Sequence, residues 1–349
     1  MKTATRKPDL LSFSCPELEK WMEGWGESAF HGRQVFHWLH QRGVHDYEKM
    51  TDLSKALRER LAAEAPLVAM SIQQKLLAPD GTIKYRIRLN DGLEIESVYM
   101  PFEDRRTLCV STQVGCAMGC VFCATARMGL VRNLTAGEIT GQLELVTVDL
   151  AGQQQRPVTN VVFMGMGEPL ANFSAVARAV ENLRAPLGAG LSRRHITVST
   201  SGLVPAMDKF AAEVPAKLAV SLNASSDEVR SRLMPVNRRW NLDKLIGCCR
   251  GLRLAGADRI TFEYVMLRGV NDSVEDARRL VKLLSGLLCK INLIPYNPIA
   301  DSPFQRPEES AVLEFQRILL EKNFSVFIRQ SRGEQVAAAC GQLVTEGRK

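Results

Sequence analysis

The chain has 349 residues, 46% of them hydrophobic, and a net charge of +7, enough apolar material for one large domain and a small one and a balance that favours a polyanionic partner without establishing one. No apolar run reaches the roughly 18 residues of a membrane span, and the start (MKTATRKPDL) has no signal-peptide hydrophobic segment, so the expectation is a cytoplasmic protein with no membrane contact. Nine cysteines, odd in number and gathered around one loop, exclude a secreted disulfide framework and read as metal-binding or catalytic.

Residues 10 to 75 read as a small helical module. Phe30, Val35, Phe36 and Leu39 recur at helical spacing, and Thr51 is placed to cap a helix beginning near Leu53. Four of the five histidines, His31, His37, His40 and His45, fall here. With no Cys or carboxylate pattern beside them, they read as surface or core residues rather than as a metal site. Residues 72 to 101 read as strands joined at Pro79-Asp80-Gly81 and Asn90-Asp91-Gly92, because Asp-Gly between alternating apolar residues is a hairpin signal. Three units are therefore expected: a helical accessory domain over 1–75, a β-hairpin extension over 76–104, and a catalytic body over 105–349 that carries a C-terminal cysteine segment.

From Arg106 the chain alternates β-branched runs (RTLCVST, VTNVVFM, HITVSTS, KLAVSLN, ITFEYVML, KINLIPY) with helical patterns. Thr135-x-x-Glu138 and Ser225-x-x-Glu228 are capping-box patterns, and Pro307 precedes EESAVLEFQRILLEK. Six strand-helix repeats with strands this apolar predict an α/β fold with a parallel sheet buried on both faces. Six units fall short of a closed eight-stranded barrel, so a partial barrel with an open side fits, and an opening suits a large substrate.

The stretch Thr107 to Arg132 carries the strongest chemical signal. Cys116, Cys120 and Cys123 stand at C-x3-C-x2-C spacing directly after a strand. Three thiolates with no fourth nearby leave one coordination position of an iron-sulfur group open. A zinc knuckle is the competing reading, but zinc sites favour paired C-x2-C hooks and there is no second hook. One strand later comes Gly165-Met166-Gly167-Glu168-Pro169, where glycines allow close backbone approach to a ligand and Glu168 can accept hydrogen bonds from an amine. Such a segment is otherwise a tight turn.

C-x3-C-x2-C with Phe122 before the third cysteine resembles the cluster loop of radical SAM enzymes. LCVSTQVGCAMGCVFCAT, RNLTAGEITGQ, FMGMGEPLANF, INLIPYNP and SRGEQVAAACGQL, in order across nearly the whole chain, are similar to the RlmN/Cfr family of RNA adenine methyltransferases. The resemblance implies a (β/α)6 partial barrel and a 4Fe-4S cluster on Cys116, Cys120 and Cys123. It implies S-adenosylmethionine (SAM), two molecules per turnover, and an external one-electron donor such as flavodoxin or ferredoxin. SAM contacts are implied at Gly167, Glu168, Ser199, Ser221, Leu222, Asn223 and Asn297. Cys340 matches the cysteine that carries a methyl group, Cys109 its resolving partner, and Glu96, in E-x-V-x-x-P, the acceptor of a ring proton.

Apart from the resemblance, Glu96 is an ordinary strand carboxylate, and Cys109 and Cys340 are small core hydrophobes. Cys15, Cys248, Cys249 and Cys289 have no counterpart to transfer and read as packing residues. The implied reaction is methylation of adenine C2 in 23S rRNA, with transfer RNA beside the anticodon as a further target, by a monomer whose N-terminal module contacts RNA. A ring carbon between two nitrogens is too electron-poor to attack SAM directly, hence a radical route. Methylation at C8 and a non-catalytic RNA-binding paralogue are the alternatives. Ala126, Leu130 and Asn223 depart from the Gly, Phe and His common in the family.

Overall fold

The computed structural model of the chain describes residues 8–67, 70–254 and 258–345. The first seven residues, on which the signal-peptide expectation partly rests, lie outside them.

The N-terminal module consists of α1 (Cys15–Gly24), α2 (Ala29–His40) and α3 (Lys55–Glu64) around Leu18, Met22, Val35, Phe36, Leu39, Leu57 and Leu61. A capping box starts α1: Ser14 Oγ accepts the Glu17 amide while Glu17 accepts the Ser14 amide, satisfying two donors that a helix start leaves bare. At Gly32 the two helices approach so closely that a Cβ would lie 2.7 Å from the Glu19 backbone. Thr51 does not cap α3. Its amide and that of Leu53 are taken by turn bonds to Lys49 and Met50, and Ser54 caps instead, its hydroxyl accepting the Leu57 amide at 3.2 Å.

Next come β1 (Ser71–Leu77), β2 (Ile83–Arg88), β3 (Glu94–Phe102) and β4 (Arg105–Cys109), antiparallel in succession. Asp80 and Asp91 each accept the amide two residues on, at 3.0 and 3.1 Å, which is the side-chain turn that makes Asp-Gly a hairpin signal. After β4, a short pair β5 (Gln113–Gly115) and β6 (Leu130–Asn133) brackets the cysteine loop, which holds α4 (Ala124–Arg127).

The body continues with α5 (Ala136–Gly152), β7 (Asn160–Phe163), α6 (Phe173–Arg184), β8 (Ile196–Thr200), α7 (Val204–Glu213) and β9 (Lys217–Ser221). It ends with α8 (Asp227–Leu233), α9 (Leu242–Gly251), β10 (Ile260–Met266), α10 (Val274–Leu284), β11 (Cys289–Pro295), α11 (Glu309–Leu320) and β12 (Ser325–Ile328). One sheet runs β1-β2-β3-β4-β7-β8-β9-β10-β11-β12, parallel from β4 onward. β1 and β12 are its two edges, so the barrel is open as expected. The six expected parallel strands are all present, and β12 is a seventh that the sequence reading left out. It is four residues long and leaves Phe327 52% exposed, so the alternation that marks a buried strand is missing. Parallel strands point the same way, so the loops after β4, β7, β8, β9, β10, β11 and β12 share one end of the sheet.

One further reading changes. The expected Ser225-x-x-Glu228 box does not form, because Ser225 Oγ donates to Asp276 at 3.0 Å and Ser226 caps α8 instead. Of the four histidines of the module, His40 is buried, and Glu144 of α5 is bonded to His40 Nδ1 and His45 Nε2, both at 2.7 Å. Burial would push the Glu144 carboxyl up, but His40 and His45 outweigh it and hold it below the usual carboxylate range. This tie, Arg178 to Glu17 at 2.6 Å and Thr135 to Asp9 at 3.1 Å dock the module on α5 and α6.

Candidate active site

β4 ends on Cys109, which lies opposite Val98 of β3 and Val162 of β7. Beyond it the cysteine loop is fixed by backbone bonds from Cys116 N to Gly129 O (2.9 Å) and Val121 N to Leu233 O (3.1 Å). Phe122 packs among Leu233, Met234, Leu267 and Tyr296, so the aromatic before the third cysteine anchors the loop. The thiols of Cys116, Cys120 and Cys123 are all free and within electrostatic reach of one another, and those of Cys116 and Cys120 also of Glu168. Burial pushes Cys116 up to about 11 and raises Cys120 as well. Thiols ligate as thiolates, so such a pocket calls for a bound cation to draw the protons off. Among the described residues no three His, Cys, Asp or Glu side chains converge on a single-ion position. Three separated thiols suit the corners of an iron-sulfur cubane rather than one zinc ion, and the residues present fit that group.

Opposite this loop, Gly167 adopts φ +103°, and a Cβ there would lie 2.6 Å from the Gln113 side chain. Only glycine meets both demands. Gln113 Oε1 accepts the Glu168 amide at 2.8 Å, and the Glu168 carboxylate accepts the amides of Leu170 (3.1 Å) and Ser201 (2.7 Å). Glu168 is buried beside the cysteines, and desolvation raises its carboxyl.

Ser199 and Ser221 lie on β8 and β9, half-buried. Leu222 is fully buried. Asn223 has φ +58°, a conformation asparagine tolerates better than most residues, and its side chain is committed to the fold: Oδ1 accepts the Val265 amide at 2.8 Å and Nδ2 faces Met234 Sδ at 3.2 Å. Leu222 and Asn223 therefore shape the loop after β9 and do not present free side-chain groups to a ligand. Asn297, after β11, donates to Cys340 O at 3.4 Å and accepts the Ser331 hydroxyl.

The segment around Cys340 is irregular and is stitched across the mouth. Ala124 N donates to Gly341 O (2.7 Å), Thr125 Oγ1 to Leu343 O (2.6 Å), Gln342 Nε2 to Pro298 O (2.8 Å) and Val344 N to Glu96 Oε2 (2.9 Å). Cys340 is exposed, yet crowded enough that desolvation raises its thiol. Glu263, Arg329, Cys123 and Cys109 act on it electrostatically. Cys109 is buried, and desolvation raises its thiol strongly, with Cys340 adding to the effect. Glu96 is also buried. Desolvation raises its carboxyl while Lys84, whose Nζ lies 3.0 Å from Oε1, opposes the rise.

The fold thus brings Cys109, Cys116, Cys120, Cys123, Cys340 and Glu168 into one electrostatic neighbourhood, with Glu96 joined through Val344. The remaining cysteines lie elsewhere: Cys249 and Cys289 are buried in the core, and Cys248 contacts Asp208 at 3.5 Å. The sequence reading missed Lys84, Arg230, Glu263 and Arg329. Glu263, pushed up to about 7 by burial and hydrogen-bonded to Asn292 at 2.8 Å, had a legible signal, a carboxylate inside the apolar run ITFEYVM.

Residues 8–67 match the ribosomal RNA large subunit methyltransferase N-terminal domain, and residues 110–281 match the radical SAM superfamily. The chain is 50% identical over 344 residues to the dual-specificity RNA methyltransferase RlmN 2 of Myxococcus xanthus (strain DK1622), covering 97% of this chain and 91% of that protein. It is 48% identical over 335 residues to RlmN of Geobacter sulfurreducens (strain ATCC 51573 / DSM 12127 / PCA), covering 96% and 91%. A crystal structure of a radical SAM methyltransferase from Sphaerobacter thermophilus superposes with a TM-score of 0.92 at 45% identity, covering 96% of this chain and 98% of that one. With a cysteine loop fit for an iron-sulfur cubane, an open parallel barrel and relatives alike over nearly their whole length, this chain belongs to the RlmN family of radical SAM RNA methyltransferases.

Proposed function

We propose that the protein methylates C2 of an adenine in 23S rRNA and of an adenine beside the anticodon in transfer RNA. The observation that carries this reading is the seating of Cys340: its segment is bonded to the cysteine loop at Ala124 and Thr125 and to Glu96 through Val344.

When bound, the 4Fe-4S cluster and SAM supply the electron and the radical chemistry that an electron-poor ring carbon requires. Cys116, Cys120 and Cys123 hold the cluster. Gly167, Glu168, Ser199 and Ser221 would hold SAM, with Glu168 as the acceptor for its amino group, and Leu222, Asn223 and Asn297, whose side chains are buried or already bonded, would shape the wall. Cys340 carries the methyl carbon to the base. Glu96, buried with a raised carboxyl, takes the ring proton, and Lys84 beside it stabilises the ionised form that can accept one. Cys109 then attacks the Cys340 sulfur: the S–S bond forms as the bond from that sulfur to the carbon now on the base breaks, the carbon keeps the electron pair and takes up a proton to become the methyl group, and an external thiol must reduce the disulfide.

The reading extends to the whole molecule: an RNA-contacting module over 1–75, a hairpin arm over 76–104 whose boundary β1 straddles, and a catalytic body over 105–349. It acts as a monomer in the cytoplasm with a flavodoxin or ferredoxin as electron donor. No helix among the described residues is long and apolar enough to cross a membrane. Mass spectrometry of RNA digested from cells with and without the gene tests the reaction. Loss of 2-methyladenosine is expected. Loss of 8-methyladenosine instead would reassign the position, and no change in either would defeat the reading.

A further inference from the structure

Arg230, on α8, is 0% exposed, the largest of the fully buried side chains. Its guanidinium reaches across the ends of β8 and β9. Nε donates to Leu222 O at 3.0 Å, Nη2 to Ser201 O at 2.8 Å and Ser221 O at 3.1 Å, and Nη1 to Asn237 Oδ1 at 2.9 Å. All four acceptors are neutral. Asp227 is linked only through Asn237, whose Nδ2 donates to Asp227 Oδ1 at 2.8 Å. Hydrogen bonds therefore satisfy the guanidinium, but no directly bonded anion balances its charge. Taking such a cation out of water is costly unless an anion compensates it, and burial pulls its pKa down to about 10. The helix that carries Arg230 is fastened to the cysteine loop, since Leu233 O accepts the Val121 amide at 3.1 Å and Phe122 packs against Leu233 and Met234. After desolvation, the group that acts most on the guanidinium is the Cys120 thiol, followed by Asp227.

The missing anion is what the cysteine loop would provide. An iron-sulfur cubane on three thiolates carries net negative charge and gains another negative charge on accepting an electron. Its reduction potential depends on the charges and dipoles packed around it. We propose that Arg230 is a positioning residue for that group, its buried charge balancing the anion assembled on Cys116, Cys120 and Cys123 and easing the entry of the electron. The inference rests on the reading of those three cysteines as the cluster ligands. The competing role is purely mechanical, with Arg230 clamping the ends of β8 and β9.

The test uses the full chain, reconstituted anaerobically with iron and sulfide, as wild type, Arg230→Gln and Arg230→Lys. The readouts are iron and sulfide per chain and the midpoint potential of the cluster. The glutamine variant, which keeps hydrogen bonds but not charge, shifts the potential to more negative values, while the lysine variant stays near wild type. A wild-type potential in Arg230→Gln, or equal shifts in both variants, overturns the proposal. If Arg230→Gln holds no iron, Arg230→Lys decides: full iron in lysine alone supports the charge, and loss in both assigns Arg230 to clamping. A wild-type chain that takes up no cluster overturns the ligand reading and the proposal with it, so that control separates the two failures.

Discussion

Two distant segments are fastened to the barrel, and they are fastened by different chemistry. The N-terminal module has its own core and docks through side chains: Glu144 with His40 and His45, Arg178 with Glu17, Thr135 with Asp9. The Cys340 segment has no regular structure beyond one short turn, and it is held mainly through main-chain groups by bonds to Ala124, Thr125, Pro298 and Glu96. A module that needs only to be present can be attached by charge. In the role proposed for Cys340 its sulfur must meet both a cofactor and a second thiol, and backbone bonds from several directions constrain position more tightly than a few flexible side chains.

The strongest way to break this contrast is to remove the sulfurs themselves. Cys340→Ala abolishes RNA methylation and leaves neither methylated protein nor adduct. Cys109→Ala also stops turnover but traps the enzyme on its RNA through Cys340, seen as a band shift on a denaturing gel. A crosslink of equal yield in both variants, or in neither, would mean the two thiols do not divide the work this way. Next in size is Gly167→Ala, which places a methyl group where 2.6 Å separates the Cβ position from Gln113 and forces φ +103° on a residue that avoids it. A loss of about 1–3 kcal/mol is expected from the backbone alone, read as SAM affinity down at least about tenfold by equilibrium dialysis. Unchanged affinity would remove that loop from the ligand site.

The module supplies the third test. Glu144→Ala leaves His40 and His45 without their acceptor and lowers thermal stability by about 3 kcal/mol, while the iron content and absorbance of the cluster stay as in wild type. Because the Glu144 carboxyl is held below its usual range, its contribution is present above the unfolded carboxyl pKa of about 4.3 and is lost as pH falls through the lower folded value. The stability gap between wild type and Glu144→Ala should therefore hold at neutral pH and close in acid; a gap independent of pH would show that ionisation is not the source. The smallest effect is expected for Thr125→Val, which removes one hydroxyl donated to Leu343 O. Stability falls by only about 1 kcal/mol, yet methyl transfer slows because the Cys340 segment loosens. An unchanged rate would show that this stitch does not position the sulfur.

What the sequence made legible was whatever is local. The spacing of Cys116, Cys120 and Cys123, the Gly167-Glu168 turn, the Asp-Gly hairpins and the apolar strand runs each lie within a few residues, so their geometry follows from short-range rules. Partners brought from afar were not legible. The acid that joins His40 and His45 is not the Asp46 beside them in sequence but Glu144, 104 and 99 residues later. Arg230 sits in DEVRSRL, which reads as a solvated helix, and only the fold turns it inward. Thr51 against Ser54, and Ser225 against Ser226, show the same limit at small scale: neighbouring residues have equal capping chemistry, and the surrounding turn or a remote Asp276 decides between them.

The stitching of the Cys340 segment also sets an order of events during folding. Thr125 and Leu343 are 218 residues apart, and Glu96 and Val344 are 248 apart, so these bonds close long loops and carry a high entropic cost until the sheet between them exists. The segment can settle only after β4 through β12 are in register. A growing or misfolded chain can display the cysteine loop early, but it cannot position the Cys340 sulfur. Reactivity toward RNA thus becomes the last property the chain acquires, and partly built molecules are held short of a radical reaction they could not complete.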